Sequence, residues 1–500
     1  MKYKTKNPTL FYIGSFLISL LSAYFVWLQT SKYGIGLSPD STTYLRWSES
    51  ISKDGWGFII QNPRATFPPL YPTILVIFSN IFHADHISIA RWLNIMLSFC
   101  FSFSSLFLCR KLTKNTVILL TFGLFISFSR PLNLIFSYAW SEPLFIFLLL
   151  LITFSIDKTD YKHLILCGFL SALAILTRYA GVAIVPAVCL YIFMEKHELS
   201  EKIKKSFCYA SIPTLTYIAY IARNYYFTKT LMGTRVASNT GLISNCDRAF
   251  STIALWWFSG QYFFMVAFLL LISGGFIWNY RKNLFKFFAD ISGTIKFSFC
   301  FVAVYSAFIV ISSTTTAYDL IDDRLMAPVF LYTLLLLFSL VVIGYKTPKK
   351  EKFLFYPLLS MLIVCTLISF AKTWTKDVNF RKNHGAGGYN SEFWQENNLV
   401  KYLKTNKLNS LEKIYTNDTY SFFIIDKKIK SLNIPLKKDR KVSGLENSLI
   451  IYFNNIDQKR FALNELQTIC KTETIVENID GFILRINKCS KPTNFENKNG

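Results

Sequence analysis

The chain has 500 residues, of which 52% are hydrophobic and 17% charged, with a formal net charge of +24 and a mean hydropathy of +0.33. That balance excludes an ordinary soluble protein, which would carry more charge and spread its apolar residues at helix or strand periods. Here the apolar residues come in blocks, and the strict alternation of a membrane β-barrel is absent. The blocks therefore read as membrane-spanning helices, since only helices and closed barrels satisfy their backbone groups in lipid.

In chain order the spans are expected at 9–28, 87–108, 116–128, 143–156, 164–176, 181–193, 207–221, 253–278, 295–312, 325–342 and 353–370. That is about eleven, several of them shorter than the roughly 20 residues a straight crossing needs. The first follows a lysine-rich start and has no small-residue cleavage pattern after it, so it reads as an uncleaved anchor rather than a signal peptide. Lysine and arginine then recur in alternate loops: Lys2, Lys4 and Lys6; Arg110, Lys111 and Lys114; Lys158 and Lys162; Lys196, Lys202, Lys204 and Lys205; Arg281, Lys282 and Lys286; Lys346, Lys349, Lys350 and Lys352. Cytoplasmic loops carry such an excess. The N-terminus is thus expected in the cytoplasm and, with an odd number of spans, residues 372–500 outside. The positive charge is explained by topology, and nucleic acid is not an expected partner because the charge forms no single basic face.

Residues 1–371 therefore read as a polytopic membrane domain with a long first outside loop, about 30–86, and residues 372–500 as a small soluble α/β domain. In the latter, 392–405 and 457–468 read as helices, and 413–416, 449–453, 474–477 and 482–486 as strands. The last two flank Asp480-Gly481, a hairpin-turn dipeptide. Most of the ten cysteines lie in or beside apolar spans, where they act as small hydrophobes. Cys470 and Cys489 bracket the predicted hairpin in an exported, oxidising compartment and are the candidates for a disulfide.

The outside loops hold the unusual chemistry. They carry Pro39-Asp40-Ser41 and Tyr44, Phe67-Pro68-Pro69 with Tyr71-Pro72, Arg130-Pro131, Ser141-Glu142-Pro143-Leu144, Thr177-Arg178-Tyr179, Arg223-Asn224, Arg235, and Asp322-Asp323-Arg324 with Pro328. Arginine suits bidentate contact with phosphate. Arginines, acids and aromatic turns at one membrane surface fit an enzyme that takes a phosphorylated lipid and performs acid/base chemistry there.

In order, spacing and side of the membrane, these motifs resemble the GT-C glycosyltransferases. The resemblance is to the bacterial glycosyltransferase family 39 group in particular, which includes protein O-mannosyltransferases and the lipid A aminoarabinose transferase. It covers about residues 9–370. The segment Gly388 to Trp394, followed by Ile414 to Asn417, is similar to the tail of uncharacterised bacterial members. The resemblance implies an inverting transfer of a sugar from a polyprenyl-phosphate donor to a lipid, glycan or protein acceptor, on the outer face of a bacterial cytoplasmic membrane. Asp40 maps onto the loop-one base of that family. Glu142 is a candidate second catalytic acid or metal contact. Tyr44, Tyr71, Arg178, Arg223, Arg235 and Arg324 are candidate substrate-binding residues. No metal ligand set is assigned, and a divalent metal stays open as a cofactor. Many protein O-mannosyltransferases have a Glu after the loop-one Asp. Here Ser41 stands there, which weakens the case for a protein acceptor.

Each residue also has a plainer reading. Asp40 could cap a helix beginning at Ser41, Glu142 could favour a helix dipole, and the arginines could be interfacial anchors that snorkel. Asp322 and Asp323 read as solvated or paired with Arg324. His83-Ala84-Asp85-His86 reads as a solvated loop rather than a metal cluster, because its spacing does not share one helix face. Two other functions remain open: a lipid or sugar flippase, which would show mid-membrane charges or repeated halves, and a polysaccharide polymerase or ligase using undecaprenyl-linked substrates.

Overall fold

The computed structural model describes residues 8–56, 66–156, 159–258, 292–317, 319–346, 360, 364, 367–368, 370–406, 408, 412–427, 429–435, 444–454, 456, 461 and 463–489. By internal contacts the chain forms two compact units. One comprises Met1–Ile35 with Thr43–Asn383, the other Gly36–Thr42 with His384–Gly500.

The first unit is helical. Its elements are α1 (Pro8–Gln29), α2 (Pro39–Asp54, whose first turn belongs to the second unit), α3 (Leu70–Phe82), α4 (His86–Arg110), α5 (Thr116–Ser127), α6 (Arg130–Phe136), α7 (Glu142–Ile156), α8 (Tyr161–Thr177), a 3₁₀ turn (Tyr179–Ala183), α9 (Ile184–Met194), α10 (Leu199–Thr228), α11 (Leu242–Phe258), α12 (Gly293–Thr315) and α13 (Asp323–Lys346). Among the described residues four helices, α1, α4, α12 and the stretch Asp323–Val342 of α13, are long and apolar enough to cross a membrane. The bent pair α5–α6 makes a fifth if it is one span. Shorter apolar helices stand at Leu70–Phe82, Glu142–Ile156, Tyr161–Thr177 and Tyr179–Met194. The expected spans at 253–278 and 353–370 lie largely outside the described residues.

Helix α1 illustrates why these helices suit lipid. It buries Ser15, Ser19, Ser22 and Ala23 while Leu10, Ile13, Phe16, Leu17, Leu20 and Tyr24 are exposed. In a soluble protein that pattern would be inverted. In a bilayer the tails are as apolar as leucine, so association relies on small residues and interhelical hydrogen bonds. Both are present. Ser22 Oγ meets Ser127 Oγ at 2.7 Å between α1 and α5. Tyr332 Oη meets Thr153 Oγ1 at 2.7 Å between α13 and α7. A Cβ at Gly168 would lie 2.8 Å from the Tyr209 carbonyl, so α8 and α10 approach at a position only glycine permits.

The segment 30–86, expected as the first outside loop, contains α2 and α3. The residue that caps α2 is Ser38, not Asp40. Ser38 Oγ accepts from the Ser41 amide at 3.3 Å, and Ser41 Oγ accepts from the Ser38 amide at 3.1 Å, a reciprocal box at the helix start. Asp85 caps α4, its Oδ1 accepting from the Ile87 and Ser88 amides, and His86 Nε2 lies 3.0 Å from Ser52 Oγ. The 83–86 segment is thus a helix junction. A π-helical turn (Thr373–Asn379) and the short α14 (Phe380–His384) follow the last apolar region.

The second unit is α/β. Its strands are β1 (Lys413–Thr416), β2 (Ser431–Asn433), β3 (Ser448–Phe453), β4 (Cys470–Asn478) and β5 (Gly481–Cys489). They form one sheet in the order β2-β1-β3-β5-β4. β1 is parallel to β2 and β3, and β5 is antiparallel to β3 and β4. The predicted helix at 392–405 is broken into α15 (Glu392–Gln395) and α16 (Asn398–Thr405), because Asn397 caps the second piece through the Val400 amide. The helix expected at 457–468 is α18 (Leu463–Ile469), with α17 (Phe422–Ile425) before it in sequence; residues 457–460 and 462 fall outside the described residues. The hairpin turn is Ile479-Asp480, one residue earlier than expected. Gly481 already pairs with Asn478. Gly481 has φ +155°, and a Cβ there would lie 2.0 Å from the Tyr452 carbonyl.

Gly388, at φ +58°, receives Leu37 so closely that a Cβ would lie 1.9 Å from the Leu37 carbonyl. Leu37 donates to the Gly387 carbonyl and accepts from the Tyr389 amide at 2.8 Å. This pairing draws Gly36–Thr42 into the second unit. The family-like tail motifs are its scaffold: Tyr389 Oη donates to both Asp418 oxygens at 2.9 Å, and Asn417 Nδ2 donates to the Phe453 carbonyl.

Cys470 and Cys489 are paired across the hairpin and disulfide-bonded. Breaking the bond, by Cys489→Ser or a reductant, is expected to destabilise this unit by about 2–3 kcal/mol through the unfolded-state entropy of the closed loop. Limited proteolysis of the full-length protein should then cut within 384–489 at lower denaturant. Unchanged cleavage would show the staple to be dispensable.

Candidate functional site

The dominant feature of the first unit is a buried carboxylate held between two guanidiniums. Glu142 opens α7, and none of its side chain is exposed. Its Oε1 lies 2.5 Å from Arg178 Nη1 and 2.5 Å from Arg324 Nε. The two arginine side chains are only 15% and 12% exposed. A buried charge is tolerated only when paired. Here two guanidiniums share one carboxylate oxygen, and a second acid, the exposed Asp319, lies 3.9 Å from Arg324 Nη1.

The backbone explains how three distant residues meet. Ser141 precedes α7, Arg178 follows α8, and Arg324 is the second residue of α13. The start of α7, the end of α8 and the start of α13 therefore share one end of the bundle. Asp322 caps α13, its Oδ1 accepting from the Arg324 and Leu325 amides at 3.0 and 3.1 Å. That fixes the backbone from which Arg324 projects. The starts of α7 and α13 also contribute the partial positive charge of helix N-termini.

Aromatic side chains wall the cluster. The Arg324 guanidinium lies over the Trp140 ring, 4.1 Å from its centroid. Arg178 Nη1 donates to Ser141 Oγ at 3.3 Å, and Tyr44 Oη meets the same Oγ at 3.1 Å. Tyr44 packs edge-on against Tyr71, with ring centroids 5.2 Å apart. Tyr305 Oη donates to the Leu325 carbonyl. Three polar atoms in this group are buried with no hydrogen-bond partner among the described residues: Glu142 Oε2, Arg178 Nε and Tyr71 Oη. Orphaned buried groups cost about 1–3 kcal/mol each unless water or a ligand satisfies them.

Of the residues singled out in the sequence, Tyr44, Tyr71, Glu142, Arg178 and Arg324 come together here. Arg223 belongs to an adjoining group. Its Nη1 donates to Asn224 Oδ1, Asn224 donates to Tyr179 Oη at 3.0 Å, and Tyr220 Oη donates to the Phe67 carbonyl at 3.0 Å. Arg235 is exposed in the loop before Ala237, which bridges to Thr316. Asp40 lies in the second unit, second in α2 and four residues before Tyr44; it is partly exposed.

One reading is corrected. Asp323 pairs with Arg130 at 3.4 Å and accepts from Trp256 Nε1 at 2.8 Å. Asp322 is exposed, as expected, and also caps α13. Arg324 instead contacts Glu142, 182 residues away, and more loosely Asp319 at 3.9 Å. Tyr305 carries no sequence signal that separates it from ordinary apolar-span residues; Ser141 stands out only as part of the motif around Glu142. Among the described residues no cluster of three or more His, Cys, Asp or Glu side chains forms.

No protein-family model matches the sequence, and no curated protein matches it. Solved structures do match. The structure of ArnT from Cupriavidus metallidurans bound to undecaprenyl phosphate superposes with a TM-score of 0.58 at 9% identity, covering 94% of this chain and 97% of that one. The oligosaccharyltransferase of Archaeoglobus fulgidus, in complex with zinc and sulfate, gives 0.52 at 11% identity, covering 96% and 73%. In its apo form the same enzyme gives 0.53 at 10% identity, covering 90% and 70%. Both are membrane glycosyltransferases of the GT-C fold, and this chain shares that fold.

Proposed function

We propose that the protein is an inverting glycosyltransferase that moves a sugar from a polyprenyl-phosphate carrier to an acceptor on the outer face of the bacterial cytoplasmic membrane. The single observation that carries this is the buried Glu142–Arg178–Arg324 cluster, with two guanidiniums on one carboxylate oxygen and orphaned polar atoms. It is added to a fold shared with ArnT, a protein solved with undecaprenyl phosphate bound.

The residues divide the work as follows. Asp40 takes the proton of the acceptor hydroxyl as its oxygen attacks the anomeric carbon. The bond from that carbon to the phosphate oxygen breaks, and its electron pair leaves with the lipid phosphate. Arg178 and Arg324 stabilise the charge that grows there. Glu142 serves this pair as an electrostatic hub. It holds both guanidiniums in place and keeps them from repelling each other, and its occupied Oε1 suits that role better than a proton-transfer role. Tyr44, through Ser141, and Tyr71 line the site. Arg223 and Arg235 extend its cationic rim.

The test uses undecaprenyl phosphate as the probe, with purified protein in nanodiscs. Removing one charge-assisted contact is worth about 1.5–3 kcal/mol, or roughly 10- to 150-fold in affinity. Arg324→Ala should weaken binding by that factor, while Arg235→Ala, on the exposed rim, should change it only slightly. Equal affinity in wild type and Arg324→Ala would overturn the phosphate assignment.

A further inference from the structure

The site described so far ends at Trp140, yet the contacts continue. Trp140 is stacked on Tyr138, with centroids 4.2 Å apart and planes 13° off parallel. One face of the indole therefore belongs to Tyr138, which leaves the other to Arg324 at 4.1 Å. On the far side stands a third arginine. The Arg381 guanidinium lies over the Tyr138 ring, 5.8 Å from its centroid.

Arg381 is well buried, with 13% of its side chain exposed. It donates to Ser137 Oγ and, at 3.2 Å, to Gln29 Oε1. Among the described residues its ion partner is Asp377, 3.9 Å away and beyond hydrogen-bond reach, and Asp377 Oδ2 has no hydrogen-bond partner there. The guanidinium thus bonds Ser137, at the start of the loop 137–141, and Gln29 of α1, with Asp377 as a looser ion partner. The same loop is pinned from below by Asn94, whose Nδ2 donates to the Phe136 and Tyr138 carbonyls at 2.9 and 2.7 Å. This loop leads directly into Ser141 and Glu142. Arg381 stands just after a π-helical turn, a local widening often found at functional sites.

We propose that Arg381 is a positioning residue for the phosphate clamp, acting on Arg324 through the Tyr138–Trp140 stack. The inference rests on reading Arg324 as a contact to the lipid phosphate. A guanidinium gains from an aromatic face, more so when desolvated. The two arginines therefore grip opposite ends of one aromatic pair. Loss of Arg381 frees Tyr138 and Ser137, the Trp140 plane tilts, and Arg324 loses the surface that sets its height. A sequence reading has no access to this, because Arg381 lies 57 positions from Arg324 and 241 from Trp140 in the chain.

The experiment is a double-mutant cycle on undecaprenyl phosphate affinity, using full-length protein in nanodiscs. Arg381→Met should weaken binding about tenfold, and it should have no further effect once Arg324→Ala is present. Arg381→Lys should recover only part of the loss, since an ammonium lacks the planar fork. Trp140→Phe should stay near wild type, because it keeps an aromatic face, whereas Trp140→Leu should mimic Arg381→Met. If Arg381→Met binds as wild type while Arg324→Ala is weakened, the inference is overturned and the clamp itself stands. Independent, additive effects would also overturn it, since they mean a general structural role. If Arg324→Ala is itself silent, the clamp reading fails instead. Should Arg381→Met not fold, Tyr138→Leu tests the same path: it leaves Arg381 its bonds to Ser137 and Gln29 and must show the same non-additivity.

Discussion

Asp40→Asn is expected to yield a folded, membrane-inserted protein whose sugar transfer has fallen by about 10²- to 10⁴-fold, the range attributable to a positioned general base. The structural part of this expectation comes from the start of α2. Had Asp40 been the helix cap, its loss would unravel the first turn and confuse the result. Ser38 and Ser41 cap the helix between themselves, so the cap does not depend on Asp40. The substitution keeps the shape of the side chain and removes only its basicity. Undecaprenyl phosphate affinity should stay unchanged, because the proposed phosphate contacts are Arg178 and Arg324. Near wild-type turnover in purified Asp40→Asn would remove Asp40 from the mechanism.

Glu142→Gln is expected to cost about 3–5 kcal/mol of stability, the typical penalty for removing one partner of a buried ion pair. The penalty arises because Arg178 and Arg324 remain buried and lose the anion that both contact through one oxygen. Thermal unfolding of the purified protein should reveal it. Undecaprenyl phosphate should stabilise Glu142→Gln more than it stabilises wild type, since the phosphate then supplies the missing negative charge. A wild-type melting profile would mean that the three charges are solvated and form no hub. Glu142→Gln/Arg178→Met, which restores one charge-free neighbour, should melt above Glu142→Gln alone.

These expectations depend on features of unequal visibility in the chain. The apolar blocks and the alternating lysines are local properties, and lipid imposes them directly: a segment without water must be helical and apolar. For that reason α1, α4, α12 and α13 lie where hydropathy puts them. The strands at 413–416 and 449–453 and the Cys470–Cys489 pairing were legible for a similar reason, because alternation and turn chemistry act over a few residues. The break at Asn397 and the one-residue shift of the hairpin turn were not. Each depends on a capping or pairing partner that competes with local propensity.

The candidate site divides the same way. Residue chemistry and side of the membrane were enough to single out Glu142, Arg178 and Arg324 as charged residues at membrane ends, because charge there is costly and rarely idle. Nothing local could say that two of those arginines meet on one oxygen of that carboxylate, or that Asp323 turns instead to Arg130 and Trp256. Those pairings join residues separated by 36 to 193 positions, and only packing chooses among them. The sequence by itself determined a helical membrane protein with a small α/β unit and a set of candidate charges. The tertiary structure decided which charges share a buried site, because a low-dielectric interior makes each pairing depend on ångström-scale distance, which no spacing along the chain encodes.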